Sequence, residues 1–263
     1  TVIPVQLGTF IHDETEVKCV LDKGYGLIKE ILDKVNDKIE IDVAVIWNDF
    51  ASALKEIGEG SEIKKFKDEL LTCSEEITND DRIKIGTMVS SMLAGRREEY
   101  SSQIHDILSK ISENVRAHDV MDDKMILNSA FLINKNKLRK FDGGIELLDI
   151  GFDNKLNFKC IGPLPPYSFY TLEIKKFQFE EVDWARNKLF LNEAATRDEV
   201  KKAYQKQISL AHPDKNPGKQ GLEKEFNDIV KAYKVLLEYC QGEACSFSEQ
   251  DFKKNALLVR VKA

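Results

Sequence analysis

Among the residues able to do chemistry, the sharpest arrangement is His212-Pro213-Asp214 in the stretch SLAHPDKNPG. It is a polar turn between two segments of helical period. The segment before it places Val200, Ala203, Tyr204, Gln207, Ile208 and Ala211 on one face, and Lys201, Lys202 and Lys206 on another. That pattern suits recognition. Lysines steer toward an acidic partner surface, and a rigid turn presents a side chain at low entropic cost. As a purely structural feature, the turn would only stop one helix, since Pro213 cannot continue it, and connect it to the next. Catalysis has weaker support. His12, His105, His118 and His212 lie far apart, and neither a G-x-x-x-x-G-K phosphate loop nor a G-x-S-x-G elbow occurs. His105 falls between Ile104 and Ile107, on the flank of a long helical stretch. The chain is read as a binding protein and not an enzyme, with no catalytic residue and no cofactor.

Five cysteines, Cys19, Cys73, Cys160, Cys240 and Cys245, are scattered along the chain. An odd count without framework spacing fits a reducing cytosol. Cys240 and Cys245 form a C-x4-C pair, but no His lies nearby to complete a zinc site, so no metal is expected. Against 39 basic residues stand 45 acidic ones, a net charge of -6, which argues against a general nucleic-acid binder. No apolar run approaches the roughly 18 residues of a membrane span, and no signal peptide is visible. Neither nucleic acid nor a membrane is expected as a partner. The opening at Thr1 rather than Met leads to the expectation that the natural protein begins upstream.

Elements must position these groups. Val2 to Phe10 reads as a strand, with Pro4 near its start, where a missing donor does least harm. A helix follows over 16–35. In KIEIDVAVIWND, residues Ile39, Ile41, Val43, Val45 and Trp47 alternate with the rest, as in a half-buried strand. Residues 50–74 read as two short helices broken at GEGS. From Asn79 to Val120 the period is mostly helical, with one stripe from Met88 through Ile111 to Val115. It reads either as a long helix packed on a sheet or as a helical hairpin. KMILNSAFLINK and KLNFKCIG read as strands flanking a helix over 137–148, and NALLVRVKA closes with another strand. The last helical unit, about 180–241, holds EVDWARNKLFL, a Thr196/Glu199 capping box opening the next helix, and a third helix over 223–239. The expected fold is α+β: a small β-α-β sheet domain over 1–78 and a ferredoxin-like α/β domain over 79–263, the latter carrying the long helix and the helical unit.

The stretch CIGPLPPYSFY, Cys160 to Tyr170, is not explained by periodicity. Gly162, Pro163, Pro165 and Pro166 end the strand in an extended, rigid segment. Tyr167, Phe169 and Tyr170 then supply aromatic area. The segment reads either as an aromatic turn packed on the sheet or as a preformed surface for a partner peptide.

Two resemblances follow. ATRDEVKKAYQKQISLAHPDKNPG and the later EFNDIVKAYKVL resemble a DnaJ-type J-domain, at the Thr196 start, Lys201 to Tyr204, His212 to Lys215, and Phe226 with Ala232-Tyr233. This implies that His212, Pro213 and Asp214, with the basic face Lys201, Lys202 and Lys206, engage a DnaK-type chaperone. The segment Gly162, Pro163, Pro165, Pro166, Tyr167, Ser168, Phe169 resembles the G-P-x-P-P-Y-S-F signature of the gas vesicle GvpF/GvpL family, with Leu164 where that family often carries Trp. IPVQLGTF, KIEIDVAVIW and LNSAFLINK resemble other strands of that family. The resemblance spans about 1 to 175 and the end of the chain. It implies an accessory or minor structural protein of gas vesicles, located in that organelle and on its gas-facing surface. Its implied partners are the shell protein GvpA and other gas vesicle accessory proteins.

Overall fold

A computed structural model describes residues 2–73, 78–211 and 222–262. The chain forms two compact units: Thr1–Pro4 with Ile31–Thr171, and Val5–Glu30 with Leu172–Ala263. Helix α1, Glu14–Val35, contributes its last turn to the first unit and the rest to the second.

The first unit is built on β1, Lys38–Trp47, whose alternation the sequence displays. Helix α2, Phe50–Gly58, follows, capped by Asp49, whose carboxylate accepts from the Ser52 amide. Next come α3, Ser61–Cys73, and α4, Asn79–Leu108, opened by a Thr78/Asp81 capping box. Then follow β2, Asn114–Ala117, β3, Met125–Asn134, α5, Leu138–Gly151, and β4, Leu156–Leu164. The sheet order is β2-β3-β1-β4, with every pairing antiparallel. A β-α-β-β-α-β chain in that order is the ferredoxin-like topology.

The odd-numbered face of β1 carries the core. Val43, Val45, Ile104, Leu108, Phe131, Ile133 and Phe141 are almost fully buried there. Each such side chain stabilises by roughly 1.5–3 kcal/mol. Tyr100 sits between Trp47 and Phe152, with ring centroids 5.4 and 4.9 Å away. The expected division at 78/79 does not coincide with the compact units. Strand β1 pairs with both β3 and β4, so chain from either side of residue 78 shares one sheet.

Helix α4 stops at Leu108, some twelve residues before the expected end, and no break interrupts it at Gly95. It is a single helix on a sheet, not a hairpin. Val115, counted as part of the helical stripe, lies in β2, where it pairs with Phe131. Ladder hydrogen bonds to β3 outweigh helical spacing there.

The second unit contains β5, Leu172–Lys176, α6, Phe179–Lys188, β6, Ala194–Thr196, and α7, Arg197–Leu210. It continues with α8, Leu222–Tyr239, β7, Ala244–Ser246, α9, Glu249–Asn255, and β8, Leu257–Val261. The expected closing strand pairs with β5. Val2 to Phe10 is not a strand: only Val5 bridges to Leu172, and Gly8, at φ 87°, turns the chain so that the Thr9 amide bonds back to the Gln6 carbonyl. Helices α6, α7 and α8 share one core with Phe177, Phe247, Phe252 and Leu258, so the helical unit does not stand free of β5, β8 and α9. Cys240 and Cys245 form a disulfide, S–S 2.07 Å, against the expectation of reduced thiols. The pairing of β6 with β7 draws Cys245 back beside the end of α8.

Candidate functional site

Two places gather the residues that the sequence singled out. In the first unit, β4 ends at Leu164 and the chain turns over the second face of the sheet, the face opposite the main core. Gly162 lies against β1: a Cβ there would meet Ile41 Cδ1 at 2.6 Å and the Glu40 carbonyl oxygen at 2.9 Å. Only glycine fits so close an approach, and its φ of 155° adds to the requirement. The Gly162–Pro163 peptide is cis. Past Pro165, a short turn forms in which the Phe169 and Tyr170 amides donate to the Pro166 carbonyl at 3.2 and 2.9 Å. That turn drops Phe169, 6% exposed, onto Ala130 and Leu132, with Tyr170 beside it. Tyr167 points outward and is exposed.

Below the turn lies Glu40, 1% exposed. Its carboxylate accepts from the Ser168 amide and the Ser168 hydroxyl, both at 2.8 Å. The same hydroxyl lies 3.2 Å from Nε2 of the exposed His118. Two residues along β1, Asp42 shares the face of Glu40, and its Oδ1 is buried without a hydrogen-bond partner. Burial, with help from Asp42, pushes the Glu40 carboxyl up to about 7 against the pull of the two Ser168 hydrogen bonds. Gly162, Pro163, Pro165, Pro166, Tyr167, Ser168 and Phe169 therefore form one built feature, a segment fastened to a sheet by a buried carboxyl.

Neither Glu40 nor His118 was singled out from sequence. Glu40 alternates with the apolar residues of β1, so it reads as solvated; a polar pair at 40 and 42 facing a proline-aromatic segment was the available signal. His105 does serve packing. Its Nε2 lies 3.3 Å from the hydroxyl of buried Ser129, its ring is 5.8 Å from Phe131, and burial holds its pKa below the usual range.

The second place is α7. Its capping box forms as expected: the Glu199 amide donates to Thr196 Oγ1 at 3.2 Å, and the Thr196 amide donates to the Glu199 carboxylate at 2.7 Å. Val200 and Ala211 are buried, and Tyr204 stacks on Tyr233 of α8 at 4.1 Å. Lys201, Lys202 and Lys206 are exposed on the opposite side. His212, Pro213 and Asp214 lie outside the described residues. Ion pairs of Glu238 with Lys175 and with Arg260, the latter at 3.2 Å, tie α8 to β5 and β8. Among the described residues no cluster of His, Cys, Asp or Glu could hold a metal ion. No described helix is long and apolar enough to cross a membrane.

Comparison with known proteins also distinguishes two parts of the chain. Residues 1–171 match the family model described as gas vesicle synthesis protein GvpL/GvpF. Residues 187–240 match the DnaJ domain. The chain is 25% identical to gas vesicle protein F of Nostoc sp. (strain PCC 7120 / SAG 25.82 / UTEX 2576) over 170 residues, 64% of this chain and 69% of that protein. It is 46% identical to the chaperone protein DnaJ of Ehrlichia ruminantium (strain Gardel) over 50 residues, 19% of this chain and only 13% of that one. Among solved structures, it is similar to the crystal structure of the gas vesicle protein GvpF from Anabaena sp. PCC7120. The TM-score is 0.55 at 25% identity, covering 63% of this chain and 68% of that one.

Proposed function

This chain belongs to the GvpL/GvpF family of gas vesicle synthesis proteins, and we propose from that premise that it is an accessory protein of gas vesicle assembly. In this reading it binds the shell protein GvpA and keeps it from aggregating while vesicles nucleate, in company with other gas vesicle accessory proteins. It stays with the vesicle on its gas-facing surface. The reading assigns binding rather than catalysis.

One observation carries it. The family match ends at residue 171, where the first compact unit ends, and takes in the whole of that unit together with residues 5–30 of the second; the DnaJ match lies wholly within the second unit. Each unit has its own core. Two folded units with separate cores support two separate binding tasks.

For the client, the first unit offers an open sheet edge. Strand β4 pairs with β1 on one side and has no further neighbour among the described residues. Ile161 on that strand is 59% exposed. An edge strand with an exposed apolar side chain is a template for strand addition by an aggregation-prone partner. For the chaperone, the second unit offers the exposed lysines of α7. They match the acidic surface of a DnaK-type ATPase, which His212-Pro213-Asp214 would then engage.

The test is co-purification of GvpA with the tagged full chain, alongside a DnaK-type ATPase assay. The reading expects GvpA to be retained by the wild type and by His212→Gln, and ATPase stimulation to be lost in His212→Gln. If GvpA is not retained while ATPase stimulation persists, the protein is a co-chaperone without a shell-protein role.

A further inference from the structure

The polar cluster under the signature segment has no part in either binding task. We propose that Glu40 carries a proton directed at the unpartnered Asp42 oxygen, and that this proton keeps segment 165–171 closed over the second face of the sheet. The inference is independent of GvpA binding.

The geometry supports it in three ways. Glu40 is almost fully buried, and both of its hydrogen-bond donors come from Ser168 of the covering segment. Asp42 Oδ1 is buried with no partner, on the same face of the same strand. A protonated Glu40 would supply the one donor that this oxygen lacks. With Glu40 ionised, its buried charge would stand beside the half-buried Asp42 carboxylate on the same face of the strand, which is costly.

The other charged or titratable groups on this face do not replace that proton: Lys38, two residues before Glu40 on the same side of β1, is paired with Glu113 at 2.6 Å. By register, Arg116 of β2 stands across β3 from Asp42, and Lys159 of β4 pairs with Ala44. Both are exposed. His118, beyond β2, reaches Ser168 and not the carboxylates. Tyr167 and Tyr170 belong to the cover itself. Among the described residues, neither Glu40 nor Asp42 forms an ion pair.

The sign follows from linkage. Closed, the segment keeps water from Glu40 and raises its carboxyl to about 7; opened, the group returns toward its ordinary 4.5. The closed form therefore binds the proton more tightly, and opening becomes easier as pH rises through that interval. The Ser168 bonds favour the ionised carboxylate, but burial outweighs them. Opening would bare Ala130 and Leu132, an apolar patch next to exposed Tyr167.

Hydrogen exchange of the amides in 167–171 tests this on the full chain, with protection corrected for the intrinsic pH dependence of exchange. In the wild type, protection should fall by about tenfold or more between about pH 5 and about pH 8. In Glu40→Gln, which keeps an acceptor for the Ser168 amide, it should stay flat. Flat protection in the wild type overturns the proposal. So does an undiminished fall in Glu40→Gln, or a fall abolished by His118→Gln alone. If Glu40→Gln does not fold by circular dichroism, Asp42→Asn decides. A midpoint moved to lower pH bears the proposal out, and an unmoved midpoint overturns it.

Discussion

Ser168 bonds to Glu40 through both its amide and its hydroxyl, each at 2.8 Å, joining positions 128 residues apart in the chain. That pair turns a proline-rich strand end into a fixed part of the sheet. Replacing Ser168 by Ala removes one of the two bonds and one of the influences that hold the Glu40 carboxyl down. We expect a loss of about 1–2 kcal/mol in urea unfolding. In a carboxyl-labelled NMR titration, Glu40 should titrate at higher pH than in the wild type.

Gly162 is the second requirement of the segment. An added methyl would lie 2.6 Å from Ile41 Cδ1 and 2.9 Å from a backbone oxygen of β1. The backbone oxygen cannot move aside as a side-chain end can. Gly162→Ala should cost about 2–3 kcal/mol by urea unfolding. A change below about 0.5 kcal/mol would place this contact within ordinary surface tolerance.

Stability should also depend on the protonation of Glu40. Its folded carboxyl titrates near 7 and its ordinary value is 4.5. The folded state therefore binds more protons across that window, and wild-type stability should fall as pH rises through it. In Glu40→Gln this contribution disappears. Thermal unfolding of both proteins across the same pH range reads the difference.

Phe190 stands at φ 55° with 78% of its surface exposed. It closes a Schellman motif at the end of α6: its amide donates to the Asn187 carbonyl, and the Leu191 amide to the Arg186 carbonyl, both at 3.1 Å. A bulky side chain is strained in the left-handed region, where glycine is not. Phe190→Gly should stabilise the protein by about 1 kcal/mol in the same urea assay. Destabilisation would mean that the ring makes contacts outweighing that strain.

The basic face of α7 gives a different signature. Lys201, Lys202 and Lys206 are exposed, so reversing all three to Glu should change stability by no more than about 1 kcal/mol. The same triple variant should lose stimulation of a DnaK-type ATPase. In the wild type, stimulation should weaken with added salt, because the attraction is screened.

Much of this organisation is legible in the residues, for reasons that can be named. The alternation of Ile39 to Trp47 shows a one-sided strand because the core lies on one face only. Thr196 and Glu199 announce the start of α7 because a capping box is a local device. Most of what the residues conceal depends on distant chain. The true end of α4 is set by β3, which claims Asn114 to Ala117 for its ladder. The strand-like composition of Val2 to Phe10 gives way to the turn at Gly8. The pairing of Cys240 with Cys245 follows from β7 folding back on β6. Glu40 looks like a solvated alternate residue until the segment 122 residues beyond it, from Gly162 on, covers that face. Strand β5 is short, and its ladder partner β8 lies at the far end of the chain.

The most direct measurement is the amount of GvpA that stays in the supernatant when it is co-expressed with the full chain, compared with GvpA expressed alone. Binding of GvpA predicts a clear rise in soluble GvpA with the wild type, kept when the three α7 lysines are reversed. An unchanged soluble fraction would contradict it.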